Sequence, residues 1–178
     1  MRTLRLLVAG TVGVLILGAA QPAAAGTTGG TATSVTVQGG VLGITVPANA
    51  GNLGAPRPNT VGAGTISGAL GQVQVTDARS AAAGSGWVVT VIATAFTPLA
   101  GPTIAASAVS YTAGTIVQFG TATYVANDPG DLTGPVAAVT ASGITGDNSA
   151  TWNPTITVAV PGGMAAGVYT ATITHSVA

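Results

Sequence analysis

Past its first twenty-five residues the chain is written in a period of two. Val35 and Val37 alternate with Ser34 and Thr36, and Leu42, Ile44 and Val46 alternate with Gly43 and Thr45 until Pro47 stops the run. Side chains two apart share one face of a strand, so this alternation predicts strands with one face turned inward. Val73 and Val75 repeat the pattern against Gln72, Gln74 and Thr76 before a turn at Asp77. The strongest strand is predicted over 87–96. One face carries Trp87, Val89, Val91, Ala93 and Ala95, while the other keeps Val88, Ile92 and Phe96 among its threonines. A strand with no fully polar face suits the middle of a sheet. Ile156, Val158 and Val160 alternate next, and Pro161-Gly162-Gly163 makes a turn. Over 168–177, Tyr169, Ala171, Ile173, His175 and Val177 then share a face. Weaker strands are expected at 66–70, as an edge, and at 104–111, 121–125 and 136–141.

The stretches between are punctuation. Residues 48–64 are rich in Gly, Pro and Asn, and 127–135 hold Asp-Pro-Gly turn chemistry, so both read as loops. No segment after the first twenty-five residues has a helical period. Many short strands separated by Gly/Pro turns predict an all-β fold, an antiparallel β-sandwich of Ig-like or Greek-key type. It is expected as one domain over 26–178, with a flexible Gly/Thr-rich start at 26–31.

The first twenty-five residues follow different rules. Arg2 and Arg5 precede an apolar run over 6–20, Gln21 and Pro22 break it, and Ala23-Ala24-Ala25 follows. This is the layout of a helical signal peptide with cleavage after Ala25, where only small side chains such as Ala23 and Ala25 fit the peptidase. The run is shorter than the ~20 residues of a membrane span. No Cys follows it to carry a lipid, and no later segment is apolar and long enough to span a bilayer. The expected location is secreted, extracellular or cell-wall associated, with no membrane span after cleavage.

Composition narrows the chemistry. Charged residues make up 4% of the chain, there are 27 glycines, and lysine, glutamate and cysteine are absent. After cleavage Arg57 and Arg79 face four aspartates, a net charge of −2. Such a surface has no electrostatic footprint for nucleic acid or anionic lipid. Without Cys there is no thiol nucleophile or thiolate metal site. His175 is the single histidine, in phase with Tyr169 and Ile173, and is read as a core or groove residue rather than a catalytic base. No serine lies in a nucleophile elbow, and a carboxylate pair would have to be Asp128 and Asp131 in a turn-rich loop. Those two, with Gly146-Asp147-Asn148 further on, offer oxygen ligands to calcium but match no EF-hand spacing. Asx residues build turns without metal, and that is the reading adopted. No catalytic residue, cofactor or metal is expected. Trp87 and Trp152 are read as core, with a sugar-stacking surface as the alternative.

Two segments carry a family resemblance. Gly86-Trp87-Val88-Val89-Thr90-Val91 and Tyr169-Thr170-Ala171-Thr172-Ile173-Thr174-His175 resemble the WxL domain family. Its members are exported surface proteins of Gram-positive bacteria that associate non-covalently with peptidoglycan. The likeness spans most of the region after the leader, and Asn148-Ser149-Ala150-Thr151-Trp152-Asn153-Pro154 looks like related actinobacterial proteins. Val89 stands where the family's first motif has leucine, His175 where the second has tryptophan, and Val177 where it has leucine. The resemblance implies an exported, non-enzymatic surface protein that binds peptidoglycan or another surface protein. It makes Trp87, Val89, Tyr169, Ile173 and His175 the candidate wall-binding residues. The alternative is a structural subunit that self-assembles, because its strand edges lack protecting Lys or Glu.

Overall fold

The structure, a computed structural model, describes residues 29–58, 62–80 and 82–178. The leader and its cleavage residues Ala23 and Ala25 lie outside the described residues. Eleven strands form among those described: β1 (Leu42–Thr45), β2 (Gly64–Ala69), β3 (Val73–Asp77), β4 (Ser85–Ala93), β5 (Thr97–Pro98), β6 (Val109–Thr112), β7 (Val117–Ala126), β8 (Val136–Trp152), β9 (Thr155–Val160), β10 (Tyr169–Thr170) and β11 (Ile173–Val177). Every pairing between them is antiparallel. The fold is an all-β antiparallel sandwich.

The 17-residue β8 organises the larger, six-stranded sheet. Along one edge it pairs β3, from Val73↔Trp152 to Asp77↔Asn148, and then β4, from Ser85↔Ile144 to Val91↔Val136. β3 and β4 thus run end to end along that edge, with 78–80 leaving β3 and 82–84 entering β4. Along its other edge β8 pairs β7. β1 adds to the outside of β3, and β11 to the outside of β4. A three-stranded sheet, β2-β9-β6, faces this one, with β2 at its edge as the sequence predicts. The chain changes sheets at Gly71 and again at Asn153-Pro154. The two crossings are tied together: Leu70 N–H donates to Pro154 O at 2.9 Å and Gly71 N–H to Asn153 Oδ1 at 3.1 Å.

The alternation turns out as expected on β3, where Val73, Val75 and Asp77 are buried, and on β4, where Trp87, Val89, Val91 and Ala93 are buried. β4 is a central strand, between β8 and β11. Val109, Tyr111, Ile156 and Val158 meet them from the smaller sheet. Burying one valine or isoleucine fully is worth roughly 1.5–3 kcal/mol, so these faces dominate the stability.

Four sequence expectations change. Val35 and Val37 stand 89% and 81% exposed and form no strand, so alternation there finds no partner. The 104–111 strand shrinks to β6, because 106–108 turn as one 3-10 helix and Ile104 bonds only with Phe96, through both backbone groups. The strand expected to end at 141 runs on to Trp152. Gly143 (φ 63°) and Gly146 (φ 70°) look like turn residues, yet their left-handed conformation bends β8 without ending it. Asp147 and Asn148 are therefore strand residues rather than a loop. Finally, 168–177 divides into β10 and β11, with Ala171 and Thr172 between, while the predicted inner and outer faces persist across the break.

Candidate functional site

Two buried polar clusters fix the inner faces. On the first, Trp87 Nε1–H donates to Asn148 Oδ1 at 3.1 Å, and the Tyr124 hydroxyl donates to the same oxygen at 3.2 Å. The Trp87 and Tyr124 rings pack 5.7 Å apart. Asn148 lies across from Asp77 in the β3–β8 register. Asp77 is buried and takes two bonds of 2.9 Å from the Arg79 guanidinium, which holds its carboxyl below the usual range. Arg79 Nη2 also donates to Gly86 O, so this pair ties the end of β3 to β4.

The second cluster spans the two sheets. Trp152 Nε1–H on β8 donates to the Tyr111 hydroxyl on β6 at 2.7 Å, and His175 Nε2 on β11 lies 3.3 Å from that same oxygen. The Tyr111 and His175 rings meet edge-on, 5.6 Å apart. The hydroxyl oxygen accepts the indole N–H and bonds to the imidazole as well. The hydroxyl and Nε2 share one hydrogen bond, whose direction follows the imidazole tautomer. Nδ1 is buried without a partner. Burial pushes the Tyr111 phenol up to about 12 and the His175 imidazole down to about 4. The ring is neutral at pH 7, and no Ser or Asp side chain bonds to it among the described residues.

Next to His175 the sandwich opens into a cavity of about 690 Å³. Its walls are Ile66 of β2, Val158 of β9, Phe96 and the β10–β11 face, and the 46–58 loop and the 161–168 turn complete it. Asn49, Asn52, Thr170 and Thr172 are among the polar residues of its lining. Arg57 is the one charged residue of the lining, and its Nη2 donates to Ala63 O at 3.1 Å, holding the loop to the start of β2. Tyr169 on the rim donates its hydroxyl to Ala165 O at 2.9 Å, pinning the 161–168 turn.

The candidate motif residues divide between these places. β4 and β11 are neighbours, with Val89 opposite Val177, Val91 opposite His175 and Ala93 opposite Ile173. Trp87 and Val89 point into the core, 2% and 0% exposed, out of reach of any wall polymer. Tyr169, Ile173 and His175 line the cavity. The sequence carries no signal for Tyr111 or Tyr124, points to Asn148 only as a turn or oxygen-ligand residue, and reads 48–64 as a loop. The one available hint was the apolar content of that loop, Leu53 among its prolines and glycines.

The aspartates serve turns. Asp128 Oδ1 accepts the Ala113 N–H at 2.8 Å, Asp131 Oδ1 accepts the N–H and hydroxyl of Thr133, and Asp147 Oδ1 accepts those of Ser80. The Thr133 bonds hold the Asp131 carboxyl below its usual range. No group of three or more metal-ligating side chains forms among the described residues. Compared with family models, curated proteins and solved structures, the chain matches none.

Proposed function

We propose that the chain is an exported, non-catalytic surface module that associates non-covalently with the cell wall, and that the cavity beside β11 holds its ligand. The observation that carries this reading is the cavity itself. Its size lies in the ~300–1,000 Å³ range of small-ligand sites, and its lining is mainly apolar with several Asn and Thr residues. That lining suits sugar rings of a wall polymer, whose apolar faces pack on rings such as Tyr169 and Phe96 while their hydroxyls meet the rim. The signal-peptide layout supports export, and the Trp87 and Tyr169–His175 segments support the wall as partner. A neutral His175 whose hydrogen-bond partner is a tyrosine supports a binding role over a hydrolytic one.

Sedimentation with purified cell walls tests the reading. The exported protein is expected in the wall pellet. Tyr169→Ala with Ile173→Ala is expected to weaken retention at least about tenfold, ~1.4 kcal/mol, with an unchanged circular dichroism spectrum. Recovery of the wild type in the supernatant, or retention unaffected by the double substitution, overturns the proposal.

A further inference from the structure

The longest free edge of the sandwich is β7. It pairs β8 on one side, and among the described residues no strand pairs its other side. Its ten residues, Val117 to Ala126, contain no charge and no proline. Val117, Phe119 and Val125 stand 67%, 71% and 49% exposed along it. Folded proteins normally blunt such an edge with Lys, Pro or a covering segment, because its free N–H and C=O groups accept any extended chain. Here Lys and Pro are absent and no strand covers the edge among the described residues; the irregularities at Phe119/Thr121 and Thr121/Thr123 break it into two shorter runs, 117–119 and 123–126, without adding a charge.

A segment of suitable chemistry lies near the other end of the same chain. Thr31-Ala32-Thr33-Ser34-Val35-Thr36-Val37 alternates small polar and β-branched residues, carries no charge or proline, and belongs to no strand in the single chain. Val35 and Val37 are almost fully exposed. Seven extended residues span about 23 Å, long enough to cover the 123–126 run and reach past the irregularity at Thr121/Thr123. Added there, it would satisfy the edge and lay Val35 and Val37 beside Phe119 or Val125. Strand addition of this kind draws affinity from backbone bonds and needs no charge complementarity, which matches a surface with almost no charges.

We infer that residues 31–37 of one copy add as a strand to the β7 edge of a second copy, so that the exported chain assembles head to tail. The contact is heterologous: each copy both gives a strand and receives one, and the assembly grows unless it closes into a ring. It is independent of the wall-binding cavity, whose lining includes no residue of β7 or of 31–37.

Light scattering after size exclusion tests this with three proteins. The wild-type chain is expected at a molar mass of two copies or more, rising with concentration. A chain lacking 29–37 keeps the acceptor edge and loses the donor. A chain with Phe119→Lys and Val125→Lys keeps the donor and carries a protected edge. Each is expected to be a monomer with the wild-type spectrum, since the exposed positions carry no core contact and all eleven strands lie after residue 41. Mixing the two is expected to give a 1:1 heterodimer that neither forms alone. A monomeric wild type overturns the inference. So does assembly that survives the deletion, which would mean edge-to-edge β7 pairing, or a mixture that stays monomeric. Because wall sedimentation is scored on separate residues, a failure here leaves that reading standing.

Discussion

Lowering the pH from 7.5 to 4.5 isolates one side chain. The chain has a single histidine and no glutamate, so His175 is the side chain whose ordinary value falls between those of the aspartates and neutrality. In the native protein burial lowers it from 6.5 to about 4, and no carboxylate bonds to the ring to offset that. Between these values the unfolded chain binds a proton that the native chain refuses. Stability is therefore complete above about pH 6.5 and is lost progressively as the pH falls towards 4. A shift of this size corresponds to ~3 kcal/mol, and because the ring is half-buried, solvent screening reduces the expected loss to ~2 kcal/mol. For a domain of ~150 residues that is a fall in Tm of about 6 °C. Urea unfolding followed by tryptophan fluorescence, at half-unit steps from pH 8 to 4.5, measures it. His175→Phe keeps an aromatic ring against Tyr111 and has nothing to titrate, so its stability is expected to be flat across the same range. A wild-type profile that is itself flat, or a slope that persists in His175→Phe, refutes the reasoning. Asp77 and Asp131 do not blur the window, because both are held below 3.8.

Three further outcomes follow from the same contacts. Tyr111→Phe removes the acceptor of a buried indole N–H, and is expected to cost ~1–3 kcal/mol in urea unfolding, whereas Trp152→Phe in the same background adds less than it does alone, because the two groups share one bond. Arg79→Ala leaves the buried Asp77 carboxylate without its guanidinium and is expected to cost ~1–3 kcal/mol at pH 7. The Asp77 contribution is present above about pH 4 and is lost as the pH falls through its lowered native value, so the penalty should shrink steadily in unfolding curves taken at decreasing pH below 4. Millimolar calcium is expected to leave Tm unchanged, because Asp128 spends an oxygen on the Ala113 N–H and Asp131 one on the Thr133 N–H of its own turn; a rise of several degrees would contradict that.

Local pattern carried much of the fold. The β3, β4 and β9 faces, the edge position of β2, the central position of β4 and the inward phase of His175 were all readable, because period-two burial is a property of single strands. The errors share a cause. Gly143 and Gly146 have the composition of a turn, and nothing local says that they act as bends inside one long strand. Val35 and Val37 have the composition of a strand, and nothing local says that no neighbour pairs with them. Both outcomes depend on what lies alongside, and that is fixed by distant residues.

The site divides in the same way. From the sequence alone came the basic, apolar and small-residue order of the first twenty-five residues, the absence of Cys, Lys and Glu, and the two segments that direct attention to β4 and β11. Tertiary structure alone decided that these strands are neighbours, that Trp87 belongs to the core with Asn148 and Tyr124, and that Tyr169, Ile173 and His175 border a cavity closed by the 46–58 loop. A strand's face is written every second residue. Which faces meet, and where they leave a space between them, is set by pairings such as Val91↔His175 and Trp152 with Tyr111, between residues dozens of positions apart.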